Sequence, residues 1–116
     1  NIIQANPDVN VWLCYNDECA IGVYEFYNAS GRDQSKAVIV GADGNKDVLQ
    51  AIIKGSAVRG TLSQTLNVKC DKIFSAADIL MESGDVKTAQ DTAGYDLFTP
   101  INIENAQAEL DATSWR

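Results

Sequence analysis

Histidine is absent from this chain of 116 residues, and that absence removes a good deal of chemistry. Without imidazole there is no Ser-His-Asp or Cys-His arrangement and no zinc site built on ring nitrogen. Cysteine occurs three times, as Cys14, Cys19 and Cys70, an odd count with no CxxC pair, so no disulfide framework is indicated. Buried free thiols are the expectation; a Cys14–Cys19 link would have to join a strand end to a helix start. Basic residues are scarce too, nine against sixteen acids, for a formal charge of −7. A nucleic-acid partner would need a basic stripe to replace counterions along its phosphates, so none is expected, and the acidic excess reads as solubility. No apolar run approaches the roughly 18 residues that cross a bilayer, and no signal peptide opens the chain. The first residues, Asn1-Ile2-Ile3-Gln4, read like the middle of a longer protein. Neither GxGxxG nor GxxxxGK[ST] occurs, and Gly41-Ala42-Asp43-Gly44 shares glycines with a dinucleotide loop at a failing spacing. No cofactor and no metal is therefore expected. Counting the many carboxylates does not exclude a glycosidase-like acid pair, but no feature points to one; an unrelated α/β enzyme stays as the least favoured alternative, and no enzyme is expected.

What is there is an alternation. Asn1 to Ala5 reads as the last turn of a helix, stopped by Asn6-Pro7, because proline turns the residue before it away from helix. Val9 to Tyr15 is almost continuously apolar, the pattern of a strand buried on both faces in a parallel sheet. Asn16-Asp17-Glu18 then supplies a capping residue and acids for the positive end of a helix. Ala20, Val23, Tyr24 and Tyr27 follow at helical spacing, and Gly31 stops them. Ala37 to Gly41 is a second strand, Asp43-Gly44-Asn45 a turn, and Asp47 to Lys54 a short helix ended by Gly55. Val58 to Ser63 is a third strand. Ile73, Ala76, Ala77 and Leu80 mark a longer helix that gives out at Ser83-Gly84. Asp85 to Gly94 reads as polar loop, Tyr95 to Ile103 as extended, and Glu104 to Leu110 as a final short helix. Strand and helix in alternation build an α/β fold with a parallel sheet, helices on both faces and right-handed crossovers. The length holds one domain, residues 1–116. Three strands make a small sheet whose first member carries an apolar, unpaired edge, so the chain reads as part of a larger sheet.

In open parallel sheets ligands bind beyond the carboxyl ends of the strands. The polar residues there are Asn16 and Asp17 after the first strand, Asp43 after the second and Gln64 after the third. Amide, carboxylate and amide suit a neutral polyhydroxylated ligand: a carboxylate accepts from two hydroxyls, and an amide both donates and accepts. Each also has a plainer reading. Asn16 and Asp17 are helix-capping types, Asp43 before Gly44 is turn chemistry, and Gln64 could simply face solvent. Recurrence at three successive strand ends is the stronger observation. The aromatics Trp12, Tyr15, Tyr24, Phe26 and Tyr27 could stack on a sugar but read mainly as core.

Four ordered blocks carry a resemblance. They are Asn6-Pro7-Asp8-Val9 through Asn16-Asp17-Glu18-Cys19-Ala20-Ile21-Gly22; Val38-Ile39-Val40-Gly41-Ala42-Asp43-Gly44-Asn45; Ala51-Ile52 to Gly55 with Thr61-Leu62-Ser63-Gln64; and Phe98-Thr99-Pro100-Ile101 to Glu104-Asn105-Ala106. In order and spacing they resemble the type I periplasmic sugar-binding proteins, ribose- and galactose-type solute receptors of ABC importers, over roughly residues 1–107. The resemblance implies a flavodoxin-like α/β fold, here an incomplete C-terminal lobe of a two-lobe protein that closes on a sugar. It implies that Asn16, Asp43 and Gln64 contact the ligand, and offers the adjacent Asp17 as a further ligand-binding residue. It implies a small sugar and a membrane permease as partners, a periplasmic or extracellular location with a signal peptide in the precursor, and a lipoprotein anchor as one option. The earlier strands and the other lobe are absent, so that lobe or a second chain would complete the sheet. Ala42 stands where the family often has an aromatic residue, and Cys19 where methionine is usual. The effector domain of a LacI-type transcription regulator and the sensory ectodomain of a chemoreceptor or histidine kinase share the fold and stay open as alternatives.

Overall fold

Each of the three apolar runs becomes a strand, and each strand lies parallel to the next. The computed structural model describes residues 2–63, 66–84 and 96–112. A single helical turn, α1 (Ile2–Ala5), leads to β1 (Val11–Leu13), α2 (Asp17–Ser30), β2 (Val38–Ala42), α3 (Lys46–Ile53) and β3 (Val58–Ser63). Then come α4 (Leu66–Ser83), β4 (Asp96–Phe98) and α5 (Ile103–Ala112), with strand order β1-β2-β3-β4. The chain divides into two compact units, Asn1–Ser63 with Leu97–Arg116, and Gln64–Asp96. The second unit contains α4, which ends beside Gly84 where the sequence stops its helical pattern. Gln64, the polar run 85–94 and Trp115 lie outside the described residues.

In the first unit, local signals and outcomes agree closely. Asn6 closes α1 by donating from Nδ2 to the Ile2 carbonyl at 2.8 Å. Asn16 caps α2, two acids occupy its first turn, and Gly31 ends it in the left-handed conformation. Val11, Trp12 and Leu13 pair with Val38, Ile39 and Val40 in parallel register. Between β2 and β3 the register slips, Ile39 facing Val58 and Val40 facing Gly60, so Arg59 is an extra residue in the ladder. The core is Ala20 and Tyr27 of α2, Ile39 of β2, Val48, Leu49 and Ile52 of α3, Val58 of β3, Phe98 of β4 and Ala106 of α5. The stretch after Tyr95 is extended only to Phe98; Thr99 then caps a 3-10 turn, Pro100–Asn102, that leads directly into α5.

Two expectations need correction. Val9 to Tyr15 is not a strand buried on both faces. Alternation puts Trp12 and Cys14 against the core, whereas Leu13 is 82% and Tyr15 92% exposed. The register continues that open face through Val38 and Leu62, which are also exposed. Among the described residues, β1 ends the strand order, pairs with β2 and is three residues long. The thiols are free but not all buried. Cys14 and Cys70 are half-buried, and Cys19 is exposed on the first turn of α2.

Trp12 of β1 and the aromatics of α2 pack as core elements. Trp12, Tyr24 and Phe26 lie against the cluster, and the Tyr27 ring is fully buried. The Tyr27 hydroxyl donates to the Val9 carbonyl at 3.1 Å and accepts from Trp12 Nε1 at 3.2 Å. It thereby holds the approach to β1 onto α2, with the Arg32 guanidinium over the ring at 5.7 Å. Among the described residues, no helix is long and apolar enough to cross a membrane. Replacing Tyr27 with Phe removes both hydrogen bonds at nearly constant volume. We expect a loss of about 1 kcal/mol in urea unfolding with an unchanged m-value.

Candidate functional site

Polar groups gather at the carboxyl ends of β1, β2 and β3, where the apolar ladder stops. Asn16, just past β1, sits in extended conformation as the cap of α2, its Oδ1 accepting from the Cys19 N–H at 3.0 Å. That leaves the amide NH2 as the group Asn16 has to offer. It is half-buried and stands next to Asp17 in the chain.

Asp17 behaves unlike its neighbours. It is fully buried. Its Oδ1 accepts from the Thr61 hydroxyl at 2.8 Å, and its Oδ2 accepts from the Asn45 N–H at 2.6 Å. One carboxylate therefore links the start of α2 to β3 and to the turn after β2. Gly41 makes room for it: a Cβ there would stand 2.1 Å from Asp17 Oδ1. The sequence offers Asp17 as a ligand-binding residue, but its side chain turns inward and both oxygens accept from protein donors.

Asp43, just past β2, keeps an exposed side chain on a restrained backbone. Its φ is 124°, a conformation L-residues seldom adopt and one that costs about 1–3 kcal/mol unless the surroundings hold it. Three successive N–H groups supply that hold. Asp43 donates to the Leu62 carbonyl at 2.9 Å, Gly44 to Thr61 Oγ1 at 3.1 Å, and Asn45 to Asp17. The Ser63 hydroxyl donates to the Asp43 carbonyl. Asn45 also donates from Nδ2 to Glu18 Oε1 at 2.8 Å.

Asn16 and Asp43 thus stand at the same end of two adjacent parallel strands, and β3 brings Thr61 and Ser63 up to them. The described residues stop one short of Gln64. Thr61, Ser63, Asn45 and Gly41 were not singled out from the sequence. The available signal was two hydroxyls in the third strand, since a hydroxyl buried in such a strand needs a partner. Among the described residues no His/Cys/Asp/Glu cluster has the geometry to hold a metal.

Burial pushes the Asp17 carboxyl above its ordinary range. The Asn45 N–H and Thr61 hydroxyl oppose that push, the Asp43 carboxylate adds to it, and the Gly44 N–H opposes it. Burial likewise raises the Cys14 thiol, helped by Cys19 and by Asp17.

Comparisons with known proteins follow this geometry. No protein-family profile matches the chain. The ribose import binding protein of Bacillus subtilis is 34% identical over 87 residues, which is 75% of this chain and 27% of that protein. The D-apiose import binding protein of Paraburkholderia graminis is 30% identical over 102 residues, 87% of this chain and 32% of that protein. Among solved structures, a Caulobacter myo-inositol binding protein bound to myo-inositol superposes with a TM-score of 0.76 at 25% identity, covering 97% of this chain and 38% of that one. The chain spans about a quarter to a third of the curated relatives it matches.

The raised Asp17 carboxyl has a testable consequence. The folded state holds its proton more tightly than the unfolded state does. Its contribution is therefore fully present below the ordinary aspartate range, near pH 4, and is lost as pH rises through the raised value. We expect urea unfolding from pH 3.5 to 8 to show the parent losing stability relative to Asp17→Asn across that window, with no further change above it.

Proposed function

Starting from a chain that belongs with the type I periplasmic sugar-binding proteins, we propose that it forms part of the solute receptor of an ABC-type carbohydrate importer, a binding protein and not an enzyme. Asn16, Asp43 and Gln64 are the residues proposed to contact the sugar from this lobe. The observation that carries the reading is the exposed Asp43 carboxylate, held on a strained and fully bonded turn at the strand-end rim beside Asn16. A carboxylate there accepts from two vicinal hydroxyls, and the Asn16 amide donates to a ring or hydroxyl oxygen. Gln64, the next residue after Ser63 in the chain, is proposed to add a second amide.

No bond is made or broken in this reading. The sugar bridges two lobes, the closed form becomes the populated one, and a membrane permease recognises it. The setting is the periplasm or the outer cell surface. The open apolar face of Leu13, Val38 and Leu62 is in keeping with further chain covering it, since parallel sheets are ordinarily covered on both faces. The curated relatives are named as import binding proteins and the solved structure as a myo-inositol binding protein, which favours this reading over a regulator or sensor.

Titration calorimetry of the full-length protein against D-ribose, D-apiose and myo-inositol is the test. At least one should bind. Asp43→Ala should weaken that binding by about 10- to 100-fold, the worth of one or two charge-assisted hydrogen bonds. A panel with no binder removes the carbohydrate reading for these ligands, and an Asp43→Ala variant with the parent's Kd removes the site assignment.

A further inference from the structure

We propose that Thr61 and Asp17 are positioning residues for ligand binding: they hold the Asp43–Asn45 turn in the strained form that presents the Asp43 carboxylate, without touching ligand themselves. The proposal rests on the binding reading above and deepens it.

A residue at φ 124° relaxes unless something prevents it, and relaxation would swing the Asp43 side chain away from the rim. The restraints are directional. The Leu62 carbonyl takes the Asp43 N–H, as any extension of the ladder would. The next two N–H groups run past the ladder and need acceptors from elsewhere. Thr61 Oγ1 serves Gly44, and Asp17 Oδ2 serves Asn45.

These two acceptors are coupled. Thr61 gives its only proton to Asp17 Oδ1, which frees its lone pairs for the Gly44 N–H. A hydroxyl that donates to a carboxylate is polarised into a better acceptor, so the buried charge strengthens the grip on both amides. Ser63 completes the clamp from the other side by donating to the Asp43 carbonyl. Its side chain also fills the space a Cβ on Gly44 would need: that atom would lie 2.5 Å from Ser63 Cβ. Both Thr61 and Asp17 are fully buried, so neither offers a group to a ligand. What they control is the backbone that does.

A purely structural role would change how much protein is folded but not how tightly the folded protein binds. The experiment separates the two by calorimetry on the full-length protein, reading Kd and stoichiometry together. The probe is whichever of D-ribose, D-apiose and myo-inositol the parent binds. Thr61→Val keeps the shape and loses the hydroxyl; Thr61→Ser keeps the hydroxyl and loses a methyl. We expect Thr61→Val to raise Kd about tenfold, equivalent to about 1.4 kcal/mol, at unchanged stoichiometry. Thr61→Ser should stay within about threefold of the parent. A Thr61→Val protein with the parent's Kd overturns the proposal, and so does a Thr61→Ser protein that binds as poorly as Thr61→Val. Should Thr61→Val fail to fold, Ser63→Ala takes its place, because it removes the hydroxyl that donates to the Asp43 carbonyl. A raised Kd then supports the clamp and the parent's Kd overturns it. Asp43→Ala distinguishes the two levels. If it weakens binding while Thr61→Val does not, the positioning role alone has failed; if it does not weaken binding, the site has failed with it.

Discussion

A carboxylate removed from water has to be met by donors, and in this chain that requirement falls on Asp17. Two of its partners come from segments far apart in sequence, the Thr61 hydroxyl on β3 and the Asn45 N–H after β2. Meeting the requirement brings three strand ends to one place. It also explains features that look unrelated along the chain. Gly41 has no side chain because Asp17 Oδ1 occupies that space, and the buried Thr61 of the third strand supplies the hydroxyl that Asp17 needs. Packing supplies most of the stability of a sheet and its helices, through Tyr27, Ile39, Leu49, Ile52 and Val58. Packing is tolerant of direction, however, and does not by itself fix the ends of strands to a fraction of an ångström. A buried, fully bonded charge does.

That division of labour suits a binding rim. The apolar layer forms a firm base, and the polar groups that could meet a ligand are carried on caps and turns just beyond it. Asn16 has half of its amide committed to capping α2, and Asp43 has its backbone N–H and carbonyl both committed, so each side chain leaves from an ordered backbone. Groups ordered before binding lose less freedom when a ligand arrives, which is how a few hydrogen bonds can hold a small, well-hydrated molecule. The strain at Asp43 belongs to the same scheme, since an uncommon backbone angle persists only where neighbouring bonds over-determine it.

The order of elements in the first unit was legible from the residues alone, because local chemistry dominates it. Caps at Asn16, stops at Gly31 and Gly55, and runs of β-branched residues each report on a few neighbouring positions, and neighbouring positions are what a sequence displays. The candidate rim was legible for the same reason: in a parallel sheet, whatever follows each strand must come to the same edge. Two things were read less well. The first strand's exposure depends on what lies across the sheet, and no pattern within Val9 to Tyr15 records that. The direction of Asp17 depends on a hydroxyl 44 residues away.

The residues by themselves determined the alternation of strand and helix, the parallel sense, and Asn16 and Asp43 as the polar groups past the first two strands, since periodicity and capping are short-range. Only the tertiary structure decided that of two adjacent residues, Asn16 and Asp17, one stays near the surface and the other is buried, and that Asp43 is held in a conformation its own chemistry disfavours. Both outcomes follow from hydrogen bonds between segments distant in sequence. Such bonds are worth most where water is excluded, and only the folded chain creates that place.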